Sequence, residues 1–589
     1  MKTVRGCWLG WVGTLLLGCT HSGEPRVAAP APAEVPSPFQ VAVAPRSAAP
    51  SESETPQAPP PCPRFRDVHE EAKLEHVYLN GERGRCLLFE TTGGGAGWLD
   101  YDGDGQWDLY LNQGGDATAD STAPQPNDKL FRNRGDGTFE DVTDQARIVE
   151  LRYSQAVAIG DFDDDGFDDV YVTNLGRNTL FRNQGDGTFV DVTEAAGVGD
   201  PRWSASAAWA DLDLDGDLDL YVCNYCDYDP KHPLEARSAD GQPRIIHPNA
   251  VDPAPDECYF NLGDGTFAAE AAQRGMADPG GRGLGVAVAD FNNDGLPDVF
   301  VTNDTTANFL FVNQGGGRFQ ESALLLGCAL DADGNANANM GVAVVDFDHN
   351  GYLDAYITHF HEESDALYRN LGPEGFQEES VRLGLRALTF DRLSFGVVMA
   401  DFNQDGLHEI VMASGHIENS PGYPFYHMSP LLLAWDGTRF RDASREAGEF
   451  FQGKYVGRAV AACDYDGDGD LDLAIAQENF PAALLRNESE RGHWLKFFMR
   501  GRQSNRRGVN CRVTVQAGPV RYLQELCGGT SYAATHQPAL VFGLGQWNAR
   551  STVTVRWPSG RVQTLKEVGV DRTLVLDEAD AVSEPQPRR

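Results

Sequence analysis

Basic residues are scarce in this chain: 48 lysines and arginines stand against 87 aspartates and glutamates, a formal net charge of −39. A surface this acidic repels phosphate backbones, which argues against nucleic acid as a partner. Beyond the first twenty residues no segment is apolar enough to cross a bilayer as a helix. The signatures G-x-S-x-G, H-E-x-x-H and the phosphate-binding P-loop are missing. Histidine is sparse as well, at 13 residues. The most enzyme-like grouping is "THFHEESD", with His359 and His361 on one strand face and His416 and His427 in the next long connection. Loop histidines satisfied by hydrogen bonds are the expected reading, and a transition-metal or catalytic site the alternative.

Cysteine is limited to eleven residues. Cys7 would leave with an export signal and Cys19 would carry lipid, and the nine that remain cannot all pair internally. Cys511 and Cys527 flank an expected hairpin around Gly518 and Pro519 and make the best candidate bridge; Cys62 with Cys86, and Cys258 with Cys223 or Cys226, are weaker ones. The "CNYC" at 223–226 has no second C-x-x-C to complete a zinc site.

What is abundant is aspartate at fixed spacing. In "DFDDDGFDD", Asp161, Asp163, Asp165 and Asp169 occupy positions 1, 3, 5 and 9, with Gly166 at position 6. A hard cation such as calcium takes six to eight oxygens. Alternate carboxylates on one side of a tight loop supply them, with a glycine for the turn and an inward carbonyl at position 7, here Phe167. The frame occurs seven times. Counting positions 1, 3, 5, 7 and 9, the other candidate ligands fall into six sets. They are Asp100, Asp102, Asp104, Gln106 and Asp108; then Asp211, Asp213, Asp215, Asp217 and Asp219; then Asp290, Asn292, Asp294, Leu296 and Asp298. The chain continues with Asp346, Asp348, Asn350, Tyr352 and Asp354; with Asp401, Asn403, Asp405, Leu407 and Glu409; and with Asp464, Asp466, Asp468, Asp470 and Asp472. Every position 6 is glycine, and each substitution at positions 1, 3, 5 or 9 keeps an oxygen donor. The spacing predicts calcium, up to one ion per repeat.

β-Branched and aromatic runs, not helices, flank the loops. From 156 to 193 four short runs, "AVAIGDF", "DVYVTN", "TLFRN" and "TFVDVT", read as antiparallel strands joined by the acidic loop and an Asp-Gly turn. Repeated seven times, this is an all-β, seven-bladed propeller with calcium-binding loops. Six repeats own a last strand, beginning at Phe139, Phe189, Phe267, Phe319, Phe376 and Phe440. The seventh lacks one, and "FRDVHEEA" from Phe65 is the expected substitute, a closure that would remove open sheet edges.

These loops and strands, over residues 65–490, resemble the FG-GAP or VCBS-repeat propellers, a class that includes the integrin alpha-chain head. The resemblance implies calcium in the loops. Residues 493–577 resemble the ASPIC/UnbV domain through "GRQSNRRGVNCRVTV" from Gly501, "FGLG" at 542–545 and "VRWPSGRVQTL" from Val555. They depart from it at Asn510, Cys511, Cys527 and "SYAATHQ". The combined layout resembles the cartilage acidic protein family and its bacterial relatives.

The expected organisation is therefore a lipoprotein signal at 1–19 with Cys19 lipidated, a disordered Pro/Ala-rich tether at 20–61, the propeller at 62–490, a small β-rich domain at 493–577 and a disordered tail at 578–589. The expected product is an exported protein, anchored by lipid to the bacterial outer membrane or cell surface. It would be a calcium-binding propeller acting as a binding or adhesion module for an extracellular protein or glycan, with face loops such as 227–257 as contacts. An enzyme acting on extracellular polysaccharide, or a scaffold presenting the ASPIC/UnbV domain, are the alternatives.

Overall fold

A computed structural model describes residues 62–118, 125–420 and 423–581. The expected signal, Cys19 and the tether lie outside the described residues.

Seven sheets follow one another along the chain, each built on four antiparallel strands, and the first gains a fifth, Ala534–Thr535, paired parallel with Ala96 and Gly97. The second, for example, comprises Ser154–Gly160, Asp169–Asn174, Gly176–Asn183 and Phe189–Asp191. The acidic loop always joins the first strand to the second. First and second strands read as nearly continuous apolar runs because they are buried on both faces, while the three-residue fourth strand buries its leading Phe and turns its remaining residues outward. The seventh sheet takes its fourth strand from the other end of the chain: Phe65–Asp67 pairs antiparallel with Ala483–Asn487, Phe65 opposite Asn487.

Each sheet shares an apolar layer with the next. Leu99, Val157 and Val170 join the first and second, and Ala158, Tyr171, Trp209 and Leu220 the second and third. Trp98 and Leu109 of the first sheet pack with Ala461, Ala474 and Leu484 of the seventh. The first strands touch in the same order, Ala96–Leu99 next to both Ser154–Gly160 and Gly457–Cys463. Contacts between first strands thus run through all seven sheets and return to the start.

The C-terminal domain has its own core, including Leu495, Phe497, Val513, Val553 and Trp557, between a three-stranded and a four-stranded sheet. It extends past the expected end at Asp577. Glu578 is buried and accepts hydrogen bonds from the backbone N–H groups of Arg502, Gln503 and Ser504, so 578–581 belong to the domain and not to a tail.

Between Glu525 and Ala539 the domain sends a segment to the middle of the seven first strands. Gly528 bridges to Val288 and Ser531 to Val342. Ser531 Oγ accepts from Val397 N and donates to Val460 O. The Ala533 carbonyl accepts from Ala96 N and its N–H donates to Ser206 Oγ. Thr535 Oγ1 donates to Val157 O, and His536 Nδ1 accepts from Ala462 N. All seven sheets are therefore engaged by "SYAATHQ" and the glycines before it.

The nine cysteines among the described residues are free thiols, which corrects the expected bridges. Arg512 pairs with Glu525, and Leu526 N donates to Cys511 O, so Cys511 faces Leu526 and Cys527 falls one residue out of register. Cys258 lies opposite Tyr221 rather than Cys223, Cys226 bridges to Pro253, and Cys62 donates to the carbonyls of Pro63 and Ala443.

Candidate metal centres

All seven acidic loops fold alike. The position 1 carboxylate turns one oxygen back to accept the N–H of the position 6 glycine, as from Gly166 to Asp161 at 3.0 Å and from Gly469 to Asp464 at 3.0 Å. The position 5 side chain accepts the N–H of position 7, as from Phe167 to Asp165 at 3.0 Å. The glycines hold φ between +83° and +105°, a region in which a Cβ is strained. Position 9 stands at the start of the second strand and accepts two N–H bonds in six loops, while Glu409 accepts one, from Phe402. Asp169 takes them from Phe162 at 3.1 Å and Asn183 at 2.8 Å.

With these bonds made, carboxylate oxygens of positions 1, 3 and 9 converge to within 4.8 Å of one another in five loops: Asp100/Asp102/Asp108, Asp161/Asp163/Asp169, Asp211/Asp213/Asp219, Asp346/Asp348/Asp354 and Asp464/Asp466/Asp472. The other two have Asn292 and Asn403 at position 3; each amide donates to the position 5 aspartate, at 3.0 and 3.1 Å. The Oδ1 atoms of Asp100, Asp161, Asp346 and Asp464 are buried without a hydrogen-bond partner, as are those of Asp163 and Asp213. Burial and neighbouring carboxylates push Asp161, Asp211 and Asp346 up to about 7, and burial pushes Asp108 up to about 8. Oxygen-only donors around a shared centre suit a hard divalent cation, whose charge would hold all three groups ionised.

Two sets of residues escape sequence reasoning. One is the asparagine ending the third strand in six repeats. Asn183 Nδ2 donates to Tyr101 O of the preceding loop at 2.8 Å, Asn487 to Phe402 O at 2.9 Å, and Asn133 to Tyr465 O at 2.9 Å, which ties the first sheet to the seventh. The signal was present, an Asn at the same register before each Gly-rich turn; Trp435 replaces it in the sixth sheet and packs on Phe347. The other set belongs to the C-terminal domain, which touches every acidic loop. Phe498 stacks on Trp107, and Arg507 pairs with Asp168 at 2.7 Å. The Gln503 carbonyl lies against Gly216, Arg556 pairs with Asp290, and Arg521 approaches Gly351. Gly545 N donates to Gln404 O, and Lys496 pairs with Asp464 at 2.7 Å.

The histidines do not form one group. His359 is buried, its Nδ1 at 2.6 Å from Ser364 O. His416 lies 3.0 Å from the Tyr423 hydroxyl and 5.6 Å, ring to ring, from His361. His427 packs on Tyr426 and Phe480.

Known proteins repeat this division. Residues 501–583 match the family described as ASPIC and UnbV. Residues 100–172, 161–222, 245–301 and 290–357 match an FG-GAP-like repeat, and 456–484 an FG-GAP repeat. Cartilage acidic protein 1 of Homo sapiens is 26% identical over 339 residues, 54% of this chain and 48% of that protein. Its Xenopus tropicalis counterpart is 26% identical over 354 residues, 56% and 51% of the two chains. The chain spans about half the length of these curated relatives. Among solved structures, an Agrocybe aegerita lectin that recognises non-reducing terminal N-acetylglucosamine matches at 17% identity and TM-score 0.36, over 60% of this chain and 79% of that one. A Bacillus licheniformis rhamnogalacturonan lyase matches at 14% and 0.35, over 67% and 71%. Likenesses this distant decide nothing about mechanism or ligand.

Proposed function

We propose that this chain, which carries FG-GAP repeats and an ASPIC/UnbV domain, is a calcium-stabilised seven-bladed propeller that serves as a binding or adhesion module for an extracellular protein or glycan. The observation that carries the calcium reading is the set of buried Oδ1 atoms without partners on carboxylates that converge in threes in loop after loop. Such groups are costly unless a cation completes them. Asp100, Asp161, Asp211, Asp346 and Asp464 with their position 3 and 9 partners would be ligands, and the loops at 290 and 401 would contribute amide oxygens. Calcium would supply charge and fix the loop; it has no chemical step to perform. Export and a lipid anchor at Cys19 complete the proposal. With the C-terminal domain seated on the acidic-loop side, partner contact falls to the opposite side, where the insertion 227–257 lies.

The test is metal content and thermal unfolding of the full chain, first in excess calcium and then after chelation. A ligand confined to the folded state stabilises it by about 2.7 kcal/mol per site at a hundred times its dissociation constant. Several ions per chain and a large fall in Tm on chelation are expected; no bound calcium and an unchanged melt would overturn the reading.

A further inference from the structure

In four of the five converging loops a position 3 aspartate pairs with an arginine of the ring, and these arginines are 23–43% exposed: Arg132 with Asp102, Arg182 with Asp163, Arg274 with Asp213 and Arg369 with Asp348. The loop at 464–472 differs in the cation on its position 1 carboxylate, which comes from the C-terminal domain and is buried: Lys496, 4% exposed, sits 2.7 Å from Asp464 Oδ2, 3% exposed. The corresponding contact in the second loop, Arg506 with Asp161, is longer at 3.7 Å and its arginine is 37% exposed, while Arg491 lies farther round the seventh loop on Asp468 and Asp470. Asp464 Oδ2 also accepts the N–H of Gly469, and the other oxygen, Oδ1, is buried without a partner on a carboxylate that converges with Asp466 and Asp472, one oxygen of each lying within 4.8 Å of the others. Lys496 lies on His493–Arg500, its ammonium 5.1 Å from the Phe498 ring centroid, and Phe498 stacks on Trp107 of the first loop. Trp494 of the same strand backs directly onto Gly469.

Resting on the calcium reading, we propose that Lys496 and the ion of the seventh loop compete for Asp464, and that this loop is where calcium level is transmitted to the C-terminal domain. A carboxylate shared between an ammonium and a divalent ion gives less charge to each, and the two cations repel across a pair that is itself nearly buried, at 4% and 3% exposure, where screening is weak. Coupling of this kind is reciprocal: the ion loosens the hold of Lys496, and Lys496 weakens the ion. The arginines of the other loops are more exposed than Lys496 and exert the same effect in diluted form.

The experiment is calorimetric titration of the decalcified full chain with calcium, for wild type, Lys496→Met, Lys496→Arg and the double variant Lys496→Met/Asp464→Asn, each checked for intact fold by circular dichroism. Lys496→Met is expected to tighten one site by about tenfold or more, leaving the other sites as they were. Lys496→Arg should behave as wild type, and the tightened site should vanish in the double variant. A folded Lys496→Met chain with that site unchanged or weakened overturns the competition alone. A wild-type chain that takes up no calcium overturns the calcium reading and this inference with it.

Discussion

Six acids in the nine residues from Asp161 to Asp169 coexist because each has a separate outlet. Asp161 and Asp169 are spent on backbone N–H groups and on the shared centre, Asp163 pairs with Arg182, Asp164 accepts from Arg506 N, Asp165 accepts from Phe167 N, and Asp168 lies outside the centre on Arg507. The glycine at position 6 has two distinct jobs, and one comparison separates them. Gly105 and Gly469 share a positive φ, +83° and +102°. A Cβ on Gly105 meets nothing within 4 Å, whereas one on Gly469 falls 2.3 Å from the Trp494 ring. Gly105→Ala should therefore cost about 1–2 kcal/mol, the backbone strain alone, and Gly469→Ala about 1–3 kcal/mol more for overpacking. Urea unfolding in excess calcium measures both; equal losses would mean that the domain does not rest on the seventh loop. Asn183→Ala should cost about 1–3 kcal/mol, because it orphans the buried Tyr101 and Asp168 carbonyls.

At the scale of the element, strands and acidic loops were readable because their signals are local and repeated: short apolar and β-branched runs, Asp-Gly turns, and aspartates in one register. Even the displaced strand at Phe65 could be found, since the repeat left a gap of known sequence. What could not be read is how the C-terminal segment meets the ring. Nothing in "SYAATHQ" has a periodicity of its own, and its partners, Val157, Val397, Val460 and Ala462, lie far away along the chain. The cysteine bridges failed for a related reason, since spacing brings Cys511 and Cys527 near each other but register sets them one residue apart. This segment also makes the fold acid-sensitive. Burial pushes His536 down to about 4, against about 6.5 for an unfolded histidine. The unfolded chain thus binds the proton first, and the stability His536 contributes is complete above pH 6.5 and lost as pH falls toward 4. Glu478, pushed up to about 7 by burial, titrates with the opposite sign over part of this range, so the informative quantity is a difference. His536→Gln should flatten the fall in Tm between pH 7 and 5 relative to wild type, and parallel curves would refute the assignment.

For the whole molecule, the question is whether ring and C-terminal domain unfold together. Each has a separate apolar core, and two such units joined by a linker would melt independently. Here the segment between Glu525 and Ala539 hydrogen-bonds to all seven sheets, and the domain around it touches all seven acidic loops. Tyr532 is fully buried against Phe395, so withdrawal of the domain strips aromatic and apolar surface from the ring's centre and leaves several strand N–H and carbonyl groups without partners. The cost of separation is then large compared with the stability of either part, and the expected calorimetric melt in excess calcium is a single transition. A chain ending at residue 490 should melt lower than the full chain and bind a hydrophobic dye in its native state. Two resolved transitions, or a truncated chain as stable as the whole, would instead mark the C-terminal domain as an independent passenger. That result would restore the reading in which the ring serves only to present it.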